Sequence, residues 1–185
     1  MRKLFPILML LALGTPAMAQ DAASRGRPMQ EMRGGCTNFG IDLRREFVLW
    51  GNVPLAVAAA PAEPAAGAVA VQASRPADIT LLPDGAYRLA PQAGQDRRAE
   101  GRFGGEVMLE IPAAGQWRVS AGPGGVWYDL MGPQGPLHDP RFEMQTRCTS
   151  IFKTVVFEVP EAGRYRLAIN GNANAVLRIL VTPQP

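Results

Sequence analysis

One ten-residue phrase occurs twice in this chain, and it limits the possible folds more than any other feature. Glu110-Ile111-Pro112-Ala113-Ala114-Gly115-Gln116-Trp117-Arg118-Val119 returns 48 residues later as Glu158-Val159-Pro160-Glu161-Ala162-Gly163-Arg164-Tyr165-Arg166-Leu167. Each copy reads as a strand ending at Pro, a tight Gly turn, and a strand opening on an aromatic. Pro has no N–H for a ladder and so marks where pairing stops. Gly supplies the positive φ that a sharp reversal favours. The aromatic then contributes roughly 150–250 Å² of surface to a core. Two such units predict an internal hairpin repeat, with Arg118 and Arg166 facing solvent beside the buried rings.

The flanking segments carry the same period. Val107, Leu109 and Ile111 alternate with Met108 and Glu110, and Trp117, Val119 and Ala121 continue after the turn. Such alternation predicts half-buried strands. Further strands are expected at 126–131, 154–159, 165–169 and 176–181. Gly132-Pro133-Gln134-Gly135 reads as a turn with Pro near its second position, and Asn170-Gly171-Asn172 as a hairpin signal. Long helical periods are missing. The expected fold class is all-β: an antiparallel, jelly-roll-like β-sandwich.

Upstream the pattern loosens. Ile79-Thr80-Leu81-Leu82-Pro83-Asp84-Gly85-Ala86-Tyr87-Arg88-Leu89 is a worn third copy of the phrase, followed by a charged, glycine-bearing loop over 91–105. Residues 55–77 are almost all Ala, Pro, Val and Gly. Pro61, Pro64 and Pro76 oppose a helix of any length there, so this stretch reads as a linker-like excursion with one strand at 68–71. Phe47-Val48-Leu49-Trp50 reads as a short strand or buried turn.

The first 19 residues look like a secretory signal peptide. Arg2 and Lys3 precede an apolar run over 4–13, and Ala17-Met18-Ala19 offers a small-x-small cleavage site. That run is about half of the roughly 20 residues a membrane span needs, and no later stretch replaces it. Residues 20–35 read as a flexible polar arm, and 36–185 as a single domain. Without Arg2 and Lys3 the basic count falls from 19 to 17 against 16 acids. Charges are interspersed, so neither nucleic acid nor a membrane surface is an expected partner.

Cys36 and Cys148 are the two cysteines of the chain. An even pair in an exported protein predicts one disulfide. A closure that long stabilises by about 4–5 kcal/mol on the loop-entropy model.

Candidate chemistry is sparse. His138 is the single histidine, and it sits between prolines with no Gly-x-Ser-x-Gly elbow to serve. His138, Asp139 and Glu143 form a weak metal set of three ligands. Met29, Met32 and Cys36 offer soft ligands for Cu(I), but Cys36 is expected in the disulfide. Trp127 and Tyr128 are adjacent, so on a strand one faces the core and the other outward. An exposed ring there is the candidate for ligand binding, by stacking on a sugar.

Asp129-Leu130-Met131-Gly132-Pro133-Gln134-Gly135, followed by Val156-Phe157-Glu158-Val159-Pro160-Glu161-Ala162-Gly163-Arg164-Tyr165-Arg166-Leu167, resembles the bacterial pre-peptidase C-terminal domain. The resemblance covers roughly 103–181 and implies a β-sandwich that accompanies exported proteins without catalytic residues. Some relatives bind calcium through acidic loops, but the acidic cluster is missing here. The whole layout, with Trp127-Tyr128-Asp129 and Cys148-Thr149-Ser150-Ile151-Phe152-Lys153, is also similar to small exported alphaproteobacterial proteins. Some of these carry the name homogentisate 1,2-dioxygenase. Such an enzyme holds iron with two His and a carboxylate, and one His does not build that site.

The expectation is therefore a periplasmic or secreted, non-catalytic binding or accessory module with no cofactor, whose partner is an extracytoplasmic protein or a glycan. A metal-dependent enzyme and a carbohydrate-binding module are the alternatives.

Overall fold

The computed structural model describes residues 33–88, 102–137 and 141–185. The signal-peptide and copper readings at 1–19, Met29 and Met32 lie outside these residues. So do most of the arm, most of the 91–105 loop, and His138 and Asp139. Twelve strands occur among the described residues. They are β1 (Leu55–Ala58), β2 (Ala70–Gln72), β3 (Ala77–Thr80), β4 (Leu82–Pro83), β5 (Phe103–Ile111) and β6 (Gly115–Gly122). β7 (Trp127–Gly132), β8 (Gly135–Pro136), β9 (Arg141–Met144), β10 (Lys153–Val159), β11 (Gly163–Asn172) and β12 (Val176–Pro183) follow. A 3₁₀ turn at Cys36–Asn38 and helix α1 (Arg44–Trp50) precede them.

The strands form a β-sandwich. Sheet A has the order β1-β3-β12-β6-β10-β9 and sheet B the order β2-β5-β11-β7-β8, with β4 also on β5. Both sheets are mixed, because β1 runs parallel to β3 and β2 parallel to β5. The longest ladders are antiparallel. Inward positions of the two sheets, such as Leu109, Val119, Phe157, Leu167 and Ile179, build one continuous core.

The repeated phrase does not make hairpins. β5 and β11 lie in sheet B while β6 and β10 lie in sheet A, so each Pro–Gly turn carries the chain across the core. The first strand of one copy then pairs with the second strand of the other. Ile111 faces Gly163, and Gly115 faces Val159 in the mirror arrangement. The two copies are thus interlocked about a pseudo-two-fold axis. Their aromatics do the same job: Trp117 Nε1 donates to the Ala113 carbonyl at 2.9 Å, and the Tyr165 hydroxyl to the Glu161 carbonyl at 2.8 Å. Both acceptors lie four residues back, the arrangement of a tyrosine corner. It folds each ring over its own turn and bends the chain toward the facing sheet. Gly115 takes φ +126 at its corner, whereas Gly163 needs no positive φ.

Asn170-Gly171-Asn172 is likewise no hairpin. It closes β11 at a bulge, and the chain then crosses to β12 in the other sheet. The turn between β7 and β8 does stay in one sheet, with Gly132 paired to Gly135.

Residues 47–50 are helical rather than extended. Asp42 Oδ1 accepts the Arg44 N–H at 3.1 Å in the first turn. Glu46 and Trp50, four apart, share the buried face. The helix belongs to a strap over 33–54 that lies on the outer face of sheet A. Leu43, Trp50, Ile151 and Leu180 form a second, smaller core beneath it. This strap changes the fate of Arg118. Alternation correctly points it away from the main core, but the strap covers it, and it is 4 % exposed.

Residues 55–77 act as more than a linker, since they give β1 to sheet A and β2 to sheet B. The stretch between them crosses the outer face of sheet B. Ala60 bridges to Glu106, and the Arg164 guanidinium donates to the carbonyls of Ala66 and Ala68. Arg166, the symmetry mate of Arg118, reaches Glu106 at 3.2 Å and Glu63 at 3.4 Å. Each outer face is thus roofed by an N-terminal segment, and an arginine from the repeat bonds a buried carboxylate beneath each roof.

Candidate functional site

The disulfide between Cys36 and Cys148 fastens the start of the strap to the 145–152 loop. Gln145 supports it: its Oε1 accepts from Gly34 N at 2.9 Å and its Nε2 donates to Asn38 O at 2.8 Å. Gly122 closes the same corner. A Cβ there would fall 1.8 Å from the Ser150 carbonyl, so only Gly lets these backbones approach.

Next to this corner, β7, β9 and β10 bring four side chains together. Lys153 shares the inward parity of Val155, Phe157 and Val159 and is 5 % exposed. Its ammonium lies 4.5 Å from the Trp127 ring centroid, 5.0 Å from that of Tyr128 and 5.2 Å from that of Phe142. Nζ also donates to the Val126 carbonyl at 3.4 Å. Three ring faces around a desolvated ammonium form a cation–π cage, where each contact is worth up to about 2 kcal/mol. The cage holds the rings in fixed orientations.

Tyr128 and Trp127 differ in burial, although both rings reach the Lys153 ammonium. Tyr128 is buried, and its hydroxyl donates to the Val119 carbonyl at 2.7 Å. Burial pushes its phenol well above the ordinary range, so it stays a neutral donor. Trp127 is 43 % exposed, and among the described residues it is the exposed large aromatic.

Near Trp127 lie two buried amides. Asn170 is its cross-strand partner on β11 and accepts from the Tyr87 hydroxyl at 2.9 Å. The Asn172 side chain is buried; its Nδ2 donates to the Asn174 carbonyl at 2.6 Å, while its Oδ1 has no hydrogen-bond partner among the described residues. A braced ring face can stack on a planar or pyranose surface.

A second concavity, about 470 Å³, sits at the far end of β7. It is lined by the 132–137 turn with Pro160 and Glu161. Glu143, the described member of the proposed metal set, accepts the Gly40 N–H at 2.6 Å and so ties β9 to the strap. Among the described residues no three His, Cys, Asp or Glu side chains stand together as a metal set. No helix there is long and apolar enough to cross a membrane. No protein-family model, curated protein or solved structure matches the chain.

Sequence reading expected one buried and one exposed ring at Trp127 and Tyr128, as their exposures show, but missed Lys153, Glu46 and Glu106. Lys153 was visible by parity, as the charged member of an inward-facing series 153, 155, 157, 159. Glu46 had no such signal, because its burial depends on a helix docking over a distant strand.

Proposed function

We propose that this chain is an exported, non-catalytic binding module of the β-sandwich type, with the Trp127 end as its contact surface. The observation that carries this reading is the indole of Trp127, exposed on one side and braced by Lys153 on the other. A large ring held in place loses little conformational freedom on binding, which favours affinity. The signal-peptide-like N-terminus supports export, and the disulfide fits an oxidising, periplasmic or secreted setting. The resemblance of 129–135 and 156–167 to the pre-peptidase C-terminal domain supports an accessory role. A glycan is the favoured ligand class, because a braced and exposed indole face can stack on a pyranose ring.

The test is a glycan-array screen of the purified protein, repeated with Trp127→Ala and Trp127→Phe. Binding that Ala abolishes and Phe partly keeps supports the reading. Binding that survives Trp127→Ala moves the contact surface elsewhere.

A further inference from the structure

Residues 33–54 add no strand to either sheet. Their apolar contacts form a cluster separate from the main core. Their polar hold includes a buried ion pair, Arg118 with Glu46 at 3.1 Å, aided by Thr182 donating to Glu46 Oε1 at 2.7 Å, alongside hydrogen bonds between the strap backbone and the side chains of Gln145, Glu143 and Arg178. Burying two charges costs desolvation that offsets most of their attraction. Here the desolvation is not fully compensated, since Glu46 Oε2 is buried with no hydrogen-bond partner among the described residues. The strap's apolar contacts thus stand apart from the main core, and the covalent bond at Cys36 ties its start to the 145–152 loop.

We propose that the Cys36–Cys148 disulfide is a latch on a separable strap. Reducing it releases residues 33–54 from the outer face of sheet A as one unit, while the sandwich remains folded. Cys148 is buried and Cys36 is half-buried, so a dithiol's thiolate attacks the Cys36 sulfur. This breaks the S–S bond, expels the Cys148 thiolate, which takes up a proton, and forms a mixed disulfide on Cys36. The second thiol of the reagent resolves that bond. Two protein thiols and one oxidised reagent result, with two electrons transferred. Strap release uncovers Arg118 and Thr182, a guanidinium and a hydroxyl already aimed at one carboxylate position.

Hydrogen exchange read by mass spectrometry tests this on the full protein with and without dithiothreitol, and on Cys36→Ser without reductant. Amides over 43–52 should exchange about 100-fold faster in both reduced protein and variant. Protection over 153–159 and 163–172 should stay within about threefold. Loss of protection in the strap and the sheets together would overturn the proposal, because the strap would then not be separable. Unchanged exchange over 43–52 would overturn it too, because the disulfide would then not be the latch.

Discussion

Severing the Arg118–Glu46 pair one partner at a time is the sharpest probe of the outer roof. The Arg118 side chain is 5 % exposed and that of Glu46 fully buried. Arg118 also donates to the Asp42 carbonyl at 2.8 Å and to Gln184 Oε1 at 3.2 Å. Arg118→Met leaves a buried carboxylate with Thr182 as its remaining donor. A lone buried charge of this kind costs about 3–5 kcal/mol. Glu46→Leu leaves the guanidinium two neutral acceptors, so its cost falls nearer the lower end. The double variant removes both desolvation penalties and should come within about 1 kcal/mol of the parent. Urea unfolding under oxidising conditions reads this as a midpoint loss of roughly 2 M for Arg118→Met, at an m-value near 2 kcal/mol per molar. The double variant should recover most of it. If the strap lifts instead of burying a lone carboxylate, the loss is capped at the strap's opening free energy. Exchange over 43–52 then rises with the disulfide intact. Single-variant costs below about 1 kcal/mol, or a double-variant cost equal to their sum, would refute the coupling.

The corner bonds and one surface carboxylate give further checks. Tyr165→Phe removes the hydroxyl that donates to Glu161, and should lower stability by about 0.5–1.5 kcal/mol in thermal or chemical unfolding with the fold unchanged. Trp117→Phe loses the equivalent bond plus buried ring area, so it should cost more than Tyr165→Phe; the reverse order would contradict the equivalence of the corners. Asp42 is held down to about 2 from the ordinary 3.8, chiefly by the side-chain hydrogen bond from Arg44. A folded-state pKa below the unfolded one means its contribution is present above about pH 4 and fades as pH falls toward 2. NMR titration should show this depression, and Arg44→Gln should return the carboxyl toward 3.8.

The strands were legible because their inward residues alternate. Val107, Leu109 and Ile111 in β5, and Val155, Phe157 and Val159 in β10, are buried as period 2 requires. Their partners were not legible, because Pro–x–x–Gly stops one strand and starts the next whether the chain doubles back or crosses the core. The deciding feature is the bond from Trp117 or Tyr165 to a carbonyl four residues back, which a tip-bearing aromatic permits but does not announce. Phe47 to Trp50 misled for another reason. A short apolar run has no clear period, and the helix arises from the Asp42 contact in its first turn and docking on Leu180 and Ile151. Arg118 pointed the predicted way, yet "outward" became "covered" because residues far upstream return to lie on it. At the Trp127 end, parity anticipated one buried and one exposed ring. It also marked Lys153, but the gathering of Phe142 from β9 needed the tertiary fold.

The interlocked repeat has a consequence for the order in which the chain folds. β5 finds its long antiparallel partner only when residues 163–172 exist, and β6 needs both β10 and β12. β3, which β1 joins at the margin, also rests on β12. A polypeptide emerging N-terminus first therefore lacks the centre of sheet A until residues 176–183 are free. Non-local closure of this kind is slow, and a chain threading through a narrow channel would remain pliable until its final strand is out.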